Sequence, residues 1–153
     1  MSITTKKGDK GFTDIKGKRV SKSDPLINCL GELDELSSLI ICTQAQLNLD
    51  KTIWEPIVSD LYKISSYITG YIDTIDLIPV IHVFEDEILS KQNKTFKFIF
   101  PFDDKEKAQL HYLRAVARRV ERTYVDLFNN DEKYADVIKY INRLSDFIFS
   151  KEL

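Results

Sequence analysis

Three arginines and one glutamate on a predicted helix have the chemistry and the spacing to bind a phosphate group. Residues 110–127 read LHYLRAVARRVERTYVDL. At 100° per residue, Arg114, Arg118 and Glu121 lie on one arc of about 60°, with Arg122 at its edge. Like charges one turn apart repel, so Arg114 and Arg118 need anionic partners, and Glu121 can serve only one of them. The arc is therefore either a phosphate clamp built from guanidinium groups or a solvated face with ion pairs.

The N-terminal segment, residues 1–22, is a second candidate for binding an anion. It holds seven basic and two acidic side chains, a net charge of +5, which leaves −7 for the rest of a chain whose total is −2. Its three glycines permit turns whose backbone N–H groups can surround an anion. The alternative is a flexible basic tail. A basic arm on an acidic body favours a small anionic ligand and argues against a nucleic-acid binder.

Composition indicates one domain in a reducing compartment. With 153 residues, 43% hydrophobic and 30% charged, the chain can bury about 70% of its unfolded surface in a single domain over 1–153. The cysteines are Cys29 and Cys42 alone, and no apolar run reaches the ~20 residues that span a bilayer. We therefore expect a cytoplasmic protein with no membrane partner. His82 and His111 stand apart from other ligand residues, and no metal site is predicted.

Five amphipathic helices are predicted between residues 24 and 152. Asp24 and Pro25 start the first helix, which runs to residue 47. The second covers 52–71, the third 79–91 and the fifth 131–151. The fourth begins at Asp103, with Glu106 at the capping-box position, and ends at residue 129. We predict an all-α, five-helix bundle with no strand.

Apolar stripes predict which side chains of these helices fill the core. The inward residues are Val80, Val83, Phe84 and Ile88 in the third helix and Val137, Tyr140, Ile141, Leu144, Phe147 and Ile148 in the fifth. On the fifth helix, Asn142 and Asp146 share the opposite face with Arg143 close by, which suits contact with a ribose or phosphate and equally a plain surface. Residues 96–102 alternate four aromatic side chains, which either pack on the bundle or line a flat apolar pocket.

Five motifs in one order resemble those of the PduO-type ATP:cob(I)alamin adenosyltransferases. They are TKKGDKG at 5–11, GKRVSK at 17–22, GELDELSS at 31–38, RAVARRVER at 114–122 and YINRLSDF at 140–147. Each motif alone is weak, whereas all five in this order are specific, and they span nearly the whole chain.

The resemblance implies an enzyme that transfers the 5′-deoxyadenosyl group of ATP to the Co(I) centre of a reduced corrinoid such as cob(I)alamin. Triphosphate leaves, and Mg²⁺ assists. The expected assembly is a homotrimer with active sites between subunits, and a flavoprotein reductase and an adenosylcobalamin-dependent enzyme are further expected partners. Because cobalt is the nucleophile, the protein has to supply orientation, charge stabilisation and exclusion of water.

By position in the motifs, the resemblance assigns residues to two sides of a site. The ATP side comprises Thr5, Lys6, Lys7, Gly8, Thr13, Lys22, Arg118, Arg119, Glu121, Arg122 and Asn142. The corrinoid side comprises Phe98, an apolar wall that keeps water and a lower ligand from cobalt, and the expected inter-subunit pair Asp34 and Arg114. The expected catalytic group is Phe98, Arg118, Asp34 and Arg114.

The chain departs from the family pattern in three places. Lys7 stands where the family usually has Thr, 102–104 read FDD where it usually has glycines, and Cys29 and Leu30 replace an aromatic. Two other function classes stay open: a non-catalytic trimeric carrier or sensor that binds ATP or a corrinoid, and a nucleic-acid binder, against which the acidic body argues.

Overall fold

Five α-helices and one short β-hairpin make up the protein in the computed structural model, which describes residues 3–91 and 100–153. The elements are β1 (Phe12–Ile15), β2 (Lys18–Ser21), α1 (Pro25–Leu47), α2 (Lys51–Ile68), α3 (Ile78–Lys91), α4 (Lys105–Phe128) and α5 (Ala135–Glu152), with a 3₁₀ turn at Glu132–Tyr134. The prediction of five helices is confirmed, and α2 ends three residues before its predicted end.

Aspartate side chains set three of the helix starts by accepting the free backbone N–H groups of the first turn. Asp24 accepts from the N–H of Leu26 at 2.8 Å, and Asp50 caps α2 in the same way. The predicted cap of α4 is wrong by one residue, because Asp104 accepts from the N–H of Lys107 at 3.0 Å. Asp103 precedes the helix, so the predicted capping box does not form.

The core lies between α1, α4 and α5, with α2 and α3 packed on α1 and α5 respectively. All six residues predicted to face inward on α5 are buried. On α3, the prediction for Val83 is wrong: its exposure is 62%, whereas Ile81 is fully buried. Because α3 packs chiefly on α5, it buries a narrow stripe, in which Phe84 stacks on Phe147 with ring centroids 4.7 Å apart.

The hairpin formed by β1 and β2 corrects the prediction that the chain has no strand. Ile15 pairs with Lys18 across a two-residue turn. Lys16 and Gly17 both have positive φ, 47° and 77°, which is the backbone that matches the twist of a tight hairpin. This turn was not predicted because Lys, unlike Asn or Asp, is not typical of its first position.

The hairpin tip is attached to the end of α2. The backbone N–H of Lys16 donates to the Tyr71 hydroxyl at 2.8 Å, and the Lys16 ammonium donates to the carbonyl of Gly70. These contacts join residues 54 and 55 positions apart in sequence, so they fix where the basic arm lies against the bundle. None of the helices in the described part of the chain has the length and apolar character needed to cross a bilayer.

Candidate functional site

The turns of the N-terminal arm bring Gly8 and Lys22, two residues of the predicted ATP side, next to each other. The N–H of Gly11 donates to the carbonyl of Gly8 at 3.1 Å, and the N–H of Lys22 donates to the carbonyl of Gly11 at 2.9 Å. A Cβ atom at residue 8 would lie 3.0 Å from the Lys22 ammonium nitrogen. Glycine therefore lets a cation approach the backbone at this point.

Other residues of the arm are held in place while their side chains stay accessible. The Arg19 guanidinium donates to the carbonyl of Lys7 and pairs with Asp14 at 3.2 Å. Thr5, Lys6 and Lys7 are exposed, and Thr13 on β1 is half-buried. The arm therefore presents accessible ammonium groups on an ordered backbone, which suits an anionic ligand.

On α4, Arg118 and Arg122 are exposed one turn apart beside a surface depression. The depression has a volume of about 400 Å³ and is lined by Arg118, Glu121, Arg122, Val125 and Asp126. Within residues 3–91 and 100–153, no hydrogen bond or ion pair engages the Arg118 guanidinium, and Arg122 donates to the carbonyl of Arg118 at 3.2 Å. The Arg118 cation is thus free to bind an anion.

A chain of hydrogen bonds joins α4, α5 and α3 next to these arginines. The Asn142 amide donates to Glu121 at 2.7 Å, and Arg143 donates to the Asn142 side-chain oxygen at 2.6 Å. The Nε of Arg143 donates to Glu85 at 2.9 Å. That hydrogen bond is the largest influence lowering the pKa of Glu85 below its ordinary value. Asn142 and Glu121, predicted for the ATP side, are therefore in contact.

Arg119 points elsewhere than Arg118. Its guanidinium forms an ion pair with Glu35 of α1, and the hydrogen bond in this pair raises the pKa of Arg119 above its ordinary value. Arg119 therefore fastens α4 to α1 within the chain, and its predicted contact with ATP stays a prediction.

In the described part of one chain, no ion pair joins Asp34 to Arg114. Asp34 is exposed on α1, while the Nε of Arg114 pairs with Glu152 of α5 at 3.1 Å. The inter-subunit pairing of Asp34 with Arg114 stays a prediction. Phe98, and most of the aromatic stretch 96–102, lie outside the described residues.

Glu152 and Glu85, neither of which was predicted for the site, pair with Arg114 and Arg143, and Asp146, predicted to share a face with Asn142, lies near the same arginines. Burial raises the pKa of Asp146, against the lowering influence of Arg143, Arg118 and Arg114, so this carboxyl lies among the same cations. A signal was present for Glu152, because an acid in the last turn of a helix opposes the helix dipole and needs a cationic partner. The pairings themselves join different helices, which periodicity does not predict.

The described residues contain no group of three or more His, Cys, Asp or Glu side chains able to hold a metal ion. Mg²⁺ in nucleotide sites is commonly held by one or two carboxylates together with the substrate phosphates. Glu121 and Asp126 line the depression beside Arg118 and Arg122 and fit that kind of site.

Comparison with known proteins gives consistent matches over the whole chain. The family model described as cobalamin adenosyltransferase matches residues 3–152. The corrinoid adenosyltransferase MMAB of Bos taurus is 33% identical over 97% of this chain and 68% of its own length. The corrinoid adenosyltransferase PduO of Salmonella typhimurium is 32% identical over 98% of this chain, which spans 48% of that relative.

Solved structures agree with these sequence matches. A variant PduO-type ATP:co(I)rrinoid adenosyltransferase from Lactobacillus reuteri complexed with ATP is 29% identical, with a TM-score of 0.85, over 98% of this chain and 91% of that one. A variant of the PduO-type enzyme from the same organism, complexed with cobalamin and ATP, is 27% identical with a TM-score of 0.75, over 99% of this chain and 89% of that one.

Proposed function

Because the chain belongs to the cobalamin adenosyltransferase family, we propose that the arm and the exposed faces of α4 and α5 form its ATP site. The protein is a corrinoid adenosyltransferase, which transfers the 5′-deoxyadenosyl group of ATP to the cobalt of a reduced corrinoid and releases triphosphate. One observation carries the assignment of the site: the Arg118 guanidinium lies unpaired, among the described residues, beside Arg122 and an open depression.

On the ATP side, the charges match the change that the reaction brings about. Attack at the 5′ carbon builds negative charge on the departing triphosphate, and preorganised cations stabilise that charge best. Arg118 and Arg122 supply guanidinium groups, and Lys22 supplies an ammonium group beside the backbone of Gly8. We assign Thr5, Lys6, Lys7 and Thr13 to the same side because the arm carries them. No protein nucleophile is needed, since cobalt of the substrate attacks.

Mg²⁺ enters this proposal together with the triphosphate. Bound there, it would neutralise phosphate charge as a Lewis acid. Glu121 and Asp126 are the carboxylates of the depression that would hold it. Since Asn142 already engages one oxygen of Glu121, the orientation of that carboxylate is set before the nucleotide binds.

The corrinoid side and the homotrimer are proposed together. Asp34 is exposed on α1, and Ile41, two turns later on the same face, is 51% exposed. An exposed acid with an apolar neighbour suits an interface with a second copy, where Asp34 would meet Arg114 of the next subunit. Phe98 remains our predicted apolar wall beside the corrin ring.

Mixing variants tests the location of this pair. Asp34→Asn and Arg114→Gln subunits, each inactive as a homo-oligomer, should recover part of the activity when mixed, because some interfaces then contain both wild-type side chains. Native mass measurement establishes subunit exchange and the number of subunits. Exchange without recovered activity would place the pair within one chain.

A cytoplasmic location is also part of the proposal. Both cysteines are free thiols, the form that a reducing compartment maintains. The reductase and the enzyme that receives the product stay predictions.

Activity is tested by incubating the protein with ATP, Mg²⁺ and chemically reduced cobalamin. We expect a light-sensitive product with a cobalt–carbon bond, and none in the same mixture without ATP. Binding of ATP and cobalamin without this product would instead support the carrier or sensor, and absence of both binding and product would reject the assigned site.

A further inference from the structure

A buried carboxylate at the end of α5 holds Arg114 from within the chain. The Glu152 side chain has no exposed surface and accepts from Nε of Arg114 at 3.1 Å through Oε1. Its other oxygen, Oε2, is 3.0 Å from Nδ1 of His111. His111 and Arg114 lie one turn apart on α4, so one carboxylate of α5 engages two neighbouring side chains of the facing helix.

The contact with Glu152 requires a proton on Nδ1 of His111 when the carboxylate is ionised. An ionised carboxylate only accepts, so Nδ1 of His111 must be the donor to Glu152. The 3.5 Å contact between Nη2 of Arg114 and the same Nδ1 then joins two donors and is not a hydrogen bond. Glu152 is therefore the group that orients both side chains.

The Arg114 guanidinium is also supported by an aromatic ring. Its central carbon lies 5.2 Å from the centroid of Phe149, a cation–π contact from the same helix as Glu152. Nε is occupied by Glu152 and the face is covered by Phe149, while Nη1 makes no hydrogen bond to any described residue. The guanidinium is held rigidly with one end left free.

Placing a carboxylate at the position of Glu152 costs free energy that packing alone does not explain. The acid lies in the last turn of α5, where the helix dipole disfavours negative charge, and it is fully buried. Other ion pairs in the described ranges that join helices leave at least about a quarter of each side chain exposed. A local rule broken in this way commonly marks a functional position.

We propose that Glu152 is a positioning residue for the reaction, which fixes the Arg114 guanidinium so that its free end meets an anionic group at the corrinoid side of the site. The inference rests on the proposed function, in which Arg114 belongs to that side. Glu152 itself touches neither substrate.

The test measures KM for reduced cobalamin and KM for ATP separately in Glu152→Gln, which keeps the side-chain volume but removes the charge. We expect the corrinoid KM to rise about tenfold, as for a lost hydrogen bond to a charged group, with the ATP KM unchanged. The matched control is Glu87→Gln, since Glu87 accepts from Lys151 at the same end of α5 at 2.7 Å but lies on α3. A purely structural role would lower the melting temperature and leave both KM values of the folded protein unchanged, which would overturn the proposal.

Two further variants keep the outcome decisive. His111→Ala leaves the pair of Glu152 and Arg114 intact, so it should fold even if Glu152→Gln does not. Because Oε2 of Glu152 then loses its partner and the carboxylate holds Arg114 less firmly, the corrinoid KM should rise a few-fold, and an unchanged value overturns the proposal. In an Arg114→Lys background, Glu152→Gln should add nothing further, whereas an additive effect would show that Glu152 acts independently. If Arg114→Lys alone leaves the KM for reduced cobalamin unchanged, the proposed function of Arg114 is wrong, and the result says nothing against the contact between Glu152 and Arg114.

Discussion

The side-chain amide of Asn142 on α5 donates to a carboxylate oxygen of Glu121 on α4 at 2.7 Å. Glu121 is close enough in sequence to form an ion pair with one of the arginines on α4. Its hydrogen-bond partner is instead Asn142 of α5. The charge of Arg118 therefore stays available for a ligand. This division of partners turns an arginine-rich helix face into a candidate anion site.

Replacing Asn142 tests this relationship. In Asn142→Ala, Glu121 loses its partner and can turn toward Arg118 or Arg122, which would neutralise the cation that ATP needs. A hydrogen bond to a charged group contributes about 1.5–3 kcal/mol, so the KM for ATP should rise about ten- to hundredfold. Asn130→Ala, at an exposed position after α4, is the control and should behave as wild type. An unchanged KM for ATP in Asn142→Ala would mean that Glu121 does not depend on this bond.

The exposed Arg118 should act on ATP and not on the corrinoid. Arg118→Ala removes a charge-assisted hydrogen bond to phosphate, so ATP use should fall about ten- to hundredfold in kcat/KM, with the corrinoid KM nearly constant. Arg118→Lys should recover part of the loss, since it keeps the charge without the planar fork. Lys105→Ala, an exposed cation at the start of the same helix, is the control. Equal losses toward both substrates would contradict the assignment.

Helix faces, which depend on local spacing, could be predicted from the sequence. Contacts between residues far apart in the sequence could not. The inward residues of α5 follow from its 3.6-residue period, and all are buried. The error at Val83 arose because periodicity gives a direction but not the width of the buried stripe, which depends on how many helices pack on α3. Motif positions identified Arg118 and Asn142, whereas the pair of Arg114 with Glu152 joins residues 38 apart, and no local pattern predicts such a contact.

The attachment of the hairpin to α2 should affect ATP binding without affecting the core. Tyr71→Phe removes the acceptor of the Lys16 N–H, a bond that contributes about 0.5–1.5 kcal/mol. The KM for ATP should therefore rise by up to about tenfold, while the melting temperature stays the same because Tyr71 is exposed. Tyr62→Phe, an exposed tyrosine of α2, provides the comparison. A drop in melting temperature with constant KM would show that the contact supports the bundle and not the arm.

Asp146 should make the protein less stable as pH rises. Burial raises the pKa of its carboxyl above the ordinary 3.8, so the folded protein binds this proton more tightly than the unfolded chain does. Its contribution to the free energy of unfolding is therefore greatest below the unfolded pKa and is lost as pH rises through the folded value. Glu85 and Glu87 change in the opposite direction, because their pKa values are lowered.

Urea unfolding of Asp146→Asn and wild type between pH 3 and pH 7 isolates this contribution. The difference in unfolding free energy should move in favour of the variant with rising pH. Asp103→Asn, at an exposed position before α4, should show no such trend. A constant difference for Asp146→Asn would contradict the raised pKa.

The two thiols of α1 should react with a labelling reagent at very different rates. Cys42 is exposed and Cys29 is buried, where burial raises its pKa to about 12, with a smaller contribution from Glu32. Since thiol reagents attack the thiolate, a folded chain should take one label rapidly at Cys42 and a second at Cys29 only when α1 opens. The rate of that second labelling then reports how often the helix that carries Asp34 leaves the core, and a ligand that binds only the folded form should slow it.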